Sequence, residues 1–295
     1  MTQRIALVGC GNMGAAIAER LQQAGAELVV FDLDRARAEA TGARVAGSVS
    51  DLAEHASTVF LSLPTAAASR AVVAELAEAL PSGAVVVELS TVAPADAVAA
   101  RDRLAARGTR FVDAAVLSGP AQMSDGSTTL LIGGEDADVE AARPALELLV
   151  GERIRIGSVG SGMAAKVAHN AVSHAVMVVL LEAASLAASA GVDVGTFAEV
   201  LGRPDAALLR PLQHRLRERV FEQSYDGGMP MEAALKDSRL ALELAQTAGV
   251  PLFAILAAHT PYELAVAEGL GREDYAALAR LWERWTGRPL RPVAG

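Results

Sequence analysis

The chain has 295 residues, 26 Lys+Arg against 35 Asp+Glu, a formal net charge of −9 and one cysteine. A negative balance with no Lys/Arg-rich run excludes nucleic acid as the main partner, because neutralising phosphates requires a basic surface. A lone Cys10 excludes an intramolecular disulfide framework and a CxxC zinc site, and it fits a reducing, cytoplasmic setting.

The length suits one large domain or two ordinary ones. Hydrophobic residues make up 52% of the chain, much of it alanine. The most apolar stretch, 171–192, carries His174 and Glu182 and reads as a buried helix of a soluble protein, with no membrane as partner. No basic segment followed by a long apolar region opens the chain, so no secretion signal is expected.

Short β-branched runs at 4–8, 27–31, 58–63, 84–89, 110–113 and 128–132 predict buried strands. Between them, 12–24, 66–80, 94–107 and 136–149 predict helices, with Pro or Gly at several boundaries. This alternation predicts an α/β Rossmann domain with a parallel-rich sheet and helices on both faces. Beyond about residue 156 a glycine-rich passage leads into a long helix, about 163–190, which joins an all-α C-terminal domain. Helices are expected near 195–202, 205–219, 230–248, 251–268 and 274–285, and 287–295 reads as a loose tail. The domains are therefore placed at 1–162 and 163–295.

Gly9-Cys10-Gly11-Asn12-Met13-Gly14 is a GxGxxG between the first strand and the first helix. Gly9 permits the tight turn, Gly11 lets backbone approach a pyrophosphate, and Gly14 lets helix and strand pack closely. The helix N-terminus supplies free N–H groups and partial positive charge, with Asn12 and Met13 in its first turn. Asp32 ends the second strand, 18 residues after Gly14, where a carboxylate accepts from ribose hydroxyls and repels a 2′-phosphate. NAD is therefore the expected cofactor; Arg35 and Arg37, just beyond, leave NADP possible. Leu63-Pro64-Thr65 follows the strand at 58–63 and Ser90-Thr91 the strand at 84–89, so both line the crevice at the strand ends, although either also reads as an ordinary loop or helix cap.

The second informative string is Gly157-x-x-Gly160-x-Gly162-x-x-x-Lys166-x-x-x-Asn170. Lys166 and Asn170 are i, i+4 on one helix face, with His174 a further i+4 along. The chain contains only two lysines, Lys166 and Lys236, and lysine can be tuned to exchange a proton where arginine cannot. A cation in the first helical turn is disfavoured by roughly 0.3–1 kcal/mol, less than about one pKa unit, so burial has to supply the rest. The plainer alternative is a lysine snorkelling from a helix face. His169 and His174 are the rival bases. With no HExxH, GxSxG or clustered His/Asp set, neither metal nor serine chemistry is expected.

In this order and spacing the chain resembles the β-hydroxyacid dehydrogenase family, which includes the 3-hydroxyisobutyrate dehydrogenases. The resemblance rests on GxGxMG, Leu63-Pro64, Ser90-Thr91, Asp113-Ala114-x-Val116 with Gly126, GxGxxxKxxxN and Lys236-Asp237, over about residues 4–285. It implies Lys166 as general acid/base and Asn170 as a second catalytic and substrate-holding residue. Leu63, Pro64 and Thr91 would then line the nicotinamide, and Lys236 would close over the cofactor. It also implies a small hydroxyacid substrate and a homodimer or homotetramer. The family's substrate loop usually reads Asp-Ala-Pro-Val-Ser-Gly-Gly. Here Leu117, Ser118 and Gly119 stand at its substrate positions, followed by Pro120, which removes an N–H. Leu117 in place of serine makes the pocket more apolar and points to a substrate with an alkyl or aryl group. Two other readings stay open: imine reduction, which a related family performs generally without the lysine, and a non-catalytic dinucleotide-binding module.

Overall fold

The computed structural model describes residues 3–292, so the last three residues of the expected tail lie outside the described residues. The chain divides into two compact units, Met1–Ala171 and Val172–Gly295.

The first unit runs β1 (Arg4–Val8), α1 (Asn12–Gln23), β2 (Glu27–Phe31), α2 (Arg35–Ala40), β3 (Arg44–Val45), α3 (Val49–Ala53), β4 (Thr58–Leu61), α4 (Ala66–Ala79), β5 (Val85–Glu88), α5 (Pro94–Ala105), β6 (Arg110–Val116), α6 (Pro120–Asp125), β7 (Thr129–Gly134), α7 (Asp136–Leu149), β8 (Glu152–Gly157) and the start of α8 (Ser161–Ser189). One eight-stranded sheet takes the order β3-β2-β1-β4-β5-β6-β7-β8. Alternate residues of each strand feed opposite faces. Ile5, Leu7, Val30, Phe60 and Val87 enter one core, and Ala6, Val8, Val29, Val59, Leu61 and Val86 the other. Burial on both faces is why these strands read as unbroken apolar runs.

The pairs from β3 through β6 are parallel, whereas β6 and β7 are antiparallel. The physical reason is the short link between β6 and β7, holding only the six-residue α6; it returns the chain too soon for a parallel crossover. β6 runs on through Val116, so Asp113 to Val116 are strand residues rather than part of a loop. The sequence reading missed β3 and β8. The first is two residues long and the second is a largely exposed edge, so neither leaves an apolar run.

The second unit contains most of α8, then α9 (Val194–Leu201), a π-helix (Pro211–Val220), α10 (Met231–Ala248), α11 (Ala254–Ala267), a 3₁₀ turn (Tyr275–Leu278) and α12 (Ala279–Thr286). Its core is small, built around Val220, Tyr225, Met231, Ala265 and Leu281. The helix expected at 205–219 begins only at Pro211, in the first turn, where the missing N–H costs nothing.

The reading of 171–192 as buried is corrected. α8 is long and apolar enough by length and composition to cross a membrane, yet almost none of its apolar stretch is buried. Among its described residues only Gly162, Met163 and Glu182 are buried, while Val172, Met177, Val178 and Leu181 are exposed. Apolar residues surround the helix, and most of them are exposed.

Glu182 explains its own presence there. Its carboxylate accepts from the N–H groups of Phe253 (2.6 Å), Ala254 (2.9 Å) and Ile255 (2.9 Å), satisfying donors at the start of α11 that have no intrahelical partner. Desolvation opposes its charge, but these three N–H groups hold the carboxyl below the usual range. A carboxylate with a lowered folded pKa stabilises the fold above its ordinary pKa, and that contribution disappears as pH falls through the folded value. Glu182→Gln is therefore expected to be less stable than wild type at neutral pH. The gap in urea midpoint should narrow as pH drops below roughly 4.3.

Candidate active site

The sheet order reverses between β1 and β4, and the crevice of such a sheet opens at the carboxyl ends of the strands on either side of the reversal. A cavity of about 650 Å³ occurs there, lined by Gly9, Gly11, Asn12, Met13, Gly14, Asp32, Leu63 and Pro64, with Asp34 and Arg37 at its side.

The glycines are dictated by contact. Gly9 has φ +95°, and a Cβ on it would lie 2.2 Å from the Ser62 carbonyl oxygen; one on Gly14 would lie 2.0 Å from the Gly9 oxygen. A Cβ on Gly11 would meet nothing within 4 Å, so that position is open to the cavity rather than required for packing. α1 begins directly after Gly11 with no side-chain cap. No side chain therefore competes for the N–H groups of its first turn.

Asp32 is held by the N–H of Cys10 (2.7 Å) and of Asp34 (2.8 Å). Burial and the neighbouring Asp32 push the Cys10 thiol up to about 12, which keeps it protonated and inert. Arg37 pairs with Asp34 at 3.3 Å. Glycine turn, uncapped helix end and fixed carboxylate together fit the pyrophosphate and ribose of a dinucleotide.

Two buried acids brace the adjoining loops. Glu88, at the end of β5, accepts from the Ser90 N–H (2.9 Å) and bonds the Ser69 hydroxyl of α4. The Ser90 hydroxyl accepts from the N–H of Leu63 at 2.7 Å. Burial pushes the Glu88 carboxyl up to about 7; hydrogen bonds from Ser69 and Ser90 oppose this, and the charge of Asp113 adds to it. Asp113, opposite Glu88 on β6, is fully buried and accepts from the N–H groups of Gly160 (2.8 Å) and Met163 (3.0 Å) at the start of α8. Only glycine allows this approach: a Cβ on Gly162 would be 2.5 Å from the Leu131 oxygen, and one on Gly133 2.5 Å from Asp113 Oδ1.

Lys166 follows one turn later. It is half-buried, and desolvation lowers its pKa. Asn170 is half-buried on the next turn, its Oδ1 3.4 Å from His169 Nδ1, while His169 and His174 are exposed. Leu117 donates its N–H to the Thr129 carbonyl (3.0 Å) and packs its side chain on the core; the Ser118 and Thr128 hydroxyls bond each other; Gly119 precedes α6. The cavity lining thus brings together eight of the predicted residues and does not include Thr91, which is exposed, nor Lys166, Asn170, Leu117, Ser118 or Gly119. Lys236 belongs to the second unit, where it is exposed on α10 and pairs with Asp237 at 3.0 Å. The sequence reading did not find the bracing roles of Glu88 and Asp113. The available signal was an acid inside each of two apolar strand runs.

Residues 4–160 match the profile of the NAD binding domain of 6-phosphogluconate dehydrogenase, and residues 160–282 match that of the NAD-binding domain of NADP-dependent 3-hydroxyisobutyrate dehydrogenase. The mitochondrial 3-hydroxyisobutyrate dehydrogenase of Drosophila melanogaster is 30% identical over 96% of this chain and 90% of its own length. The NAD-dependent L-serine dehydrogenase of Pseudomonas aeruginosa is 29% identical, covering 97% of this chain and all of its own. In fold, the chain is similar to an imine reductase from a Pseudomonas species, with a TM-score of 0.86 at 24% identity over 96% of this chain and 100% of that one.

The glycine contacts separate fold from binding. Gly14→Ala is expected to lower the melting temperature, because the Gly9 backbone must shift. Gly11→Ala should melt like wild type yet bind NADH at least about tenfold more weakly, since its methyl enters the space backbone must leave for pyrophosphate. Thermal melts and NADH fluorescence titrations of the two variants check both outcomes.

Proposed function

The chain belongs to the β-hydroxyacid dehydrogenase family, and from that premise we propose that it oxidises the β-hydroxyl of a small, 3-hydroxyisobutyrate-like acid, or runs the reverse reduction, with Lys166 as general acid/base. Membership makes it an NAD(P)-dependent oxidoreductase acting on a CH–OH group. The observation that carries the residue assignment is a half-buried lysine, one of two in the chain, on a helix whose start is bonded to the sheet.

Gly9, Gly11, the first turn of α1 and Asp32 would hold the dinucleotide, and the Asp32 carboxylate favours NAD over a cofactor with a 2′-phosphate. The bound cofactor supplies the hydride acceptor. The protein's share is the proton. Lys166 Nζ, uncharged, takes it from the hydroxyl as the carbinol C–H bond breaks; in reduction the ammonium returns it to the forming alkoxide. A lysine in free solution is uncharged in only about one molecule in 2,500 at pH 7, so the desolvation at Lys166 acts in the direction the chemistry needs.

Asn170, on the same helix face, is assigned to the substrate, with Ser118 and Gly119 at its carboxylate and Leu117 against its alkyl portion. 3-Hydroxyisobutyrate and L-serine, named for two of the relatives, are both 3-hydroxy acids, which supports that class here. The likeness to an imine reductase is one of fold, and a proton-exchanging lysine favours the alcohol reaction.

We further propose a homodimer in which the exposed apolar residues of α8 are covered by a second copy. Val172→Glu with Leu181→Glu is expected to shift wild type to the monomer in analytical ultracentrifugation.

Lys166→Ala should leave NADH affinity within about threefold of wild type while kcat for the hydroxyacid drops by about 10²–10⁴. Lys166→Arg should not restore it, because a guanidinium stays protonated. For wild type, kcat of oxidation should rise with pH to a plateau whose midpoint lies below the ordinary lysine value, and this rise should vanish in Lys166→Ala. A fully active Lys166→Ala would move the base to His169 or His174.

A further inference from the structure

We propose that Glu88 is a positioning residue of the dinucleotide site, holding the loops after β4 and β5 together as an uncharged acid. The proposal rests on the chain binding NAD(P) and is independent of which hydroxyacid it uses.

The geometry is that of a two-handed brace. Glu88 is the last residue of β5 and is 1% exposed. One carboxyl oxygen takes the Ser90 N–H, and the Ser90 hydroxyl then takes the Leu63 N–H beside the cavity. The other oxygen bonds the Ser69 hydroxyl in the first turn of α4, the helix that Thr65 caps immediately after Pro64. A single buried carboxyl therefore fixes the near end of segment 63–69 through Ser90, its far end through Ser69, and the loop that carries Thr91.

The surrounding charges favour the uncharged form. The ionisable group facing Glu88 from β6 is Asp113, which is fully buried and accepts two N–H bonds. From α4, Arg70 is exposed and engaged with Asp96 of α5 at 2.7 Å, and β4 presents the apolar Leu61. The charge of Asp113 disfavours a second charge beside it. Where Glu88 keeps its proton, the Ser69 hydroxyl, a donor to the carboxylate, turns to accept from the acid's O–H, and the other oxygen accepts from Ser90. Burial pushes its ionisation up to about 7, so the proton is lost within the working range of an enzyme. On ionisation the Ser69 hydroxyl turns back to donate, but the negative charges of Glu88 and Asp113 then face each other in the same buried layer, and their repulsion loosens the hold on the Leu63-Pro64 segment.

Proton binding and cofactor binding are then coupled, and the coupling is reciprocal. NADH titrated by fluorescence against wild type should show a dissociation constant that rises at least about threefold between about pH 6 and 8.5, with a midpoint near 7. Glu88→Gln, whose amide offers an NH₂ donor group and a carbonyl acceptor and no charge, should match wild type at the acid end and lose the step. Ser69→Ala, which removes one hand of the brace from outside, should bind NADH more weakly at the acid end and show a smaller step; it serves even where Glu88→Gln does not fold. A flat wild-type profile or a step that survives in Glu88→Gln overturns the proposal. Wild type that binds no NADH at any pH overturns the dinucleotide reading as well, which keeps the two failures distinct.

Discussion

The pair of hydrogen bonds from the Gly160 and Met163 N–H groups to the buried carboxylate of Asp113 is the constraint on which the candidate site depends. It joins the sheet to the first turn of α8, and it does so without intervening side chains because Gly133 and Gly162 leave no Cβ in the way. A buried anion at a helix N-terminus is favourable twice. It satisfies donors with no intrahelical partner, and it meets the positive end of the helix dipole, together worth on the order of 1–2 kcal/mol. The consequence for chemistry is geometric. Met163 is locked into the core, and Lys166 and Asn170 follow at fixed angles around the same helix.

The same end of the sheet carries a second acid in a different state. Glu88 and Asp113 are paired across β5 and β6, so they share one low-dielectric environment, yet their donor sets differ. Asp113 has two backbone N–H groups, and its charge does structural work. Glu88 has one N–H and one hydroxyl, and its charge is resisted. Neighbouring carboxyls whose surroundings push their ionisation apart are a familiar means of assigning separate tasks. Here one acid anchors the helix that bears the lysine and the other braces the loops that line the cavity.

Local information made much of this legible. β1, β4 and β5 were readable as apolar runs because both their faces are buried, and GxGxxG was readable because its turn, helix start and close contacts all involve neighbours in sequence. Lys166 stood out by scarcity. What escaped the sequence depends on long-range pairing. Nothing near Glu88 announces that Asp113 will face it, and nothing near Asp113 announces that residues 160 and 163, some fifty positions on, will donate to it. The antiparallel turn of β7 follows from a short connection whose six-residue helix is too brief to leave a periodic pattern. Thr91, placed in the crevice by its position after a strand, is exposed outside the cavity lining.

The apolar length of α8 is the part of the sequence that composition alone misreads. By composition, it can be a core helix or a membrane span, and the chain buries too little of it for the first. Glu182 argues against the second. Its carboxylate, held ionised by three N–H groups at the head of α11, ties the middle of α8 to another helix. Placing that stretch in lipid would strand either a charge or three open N–H groups in hydrocarbon, each costing several kcal/mol or more. An apolar surface interrupted by one satisfied carboxylate is suited instead to a protein surface. Side chains of a second chain can cover Val172, Met177 and Leu181 while Glu182 keeps its partners.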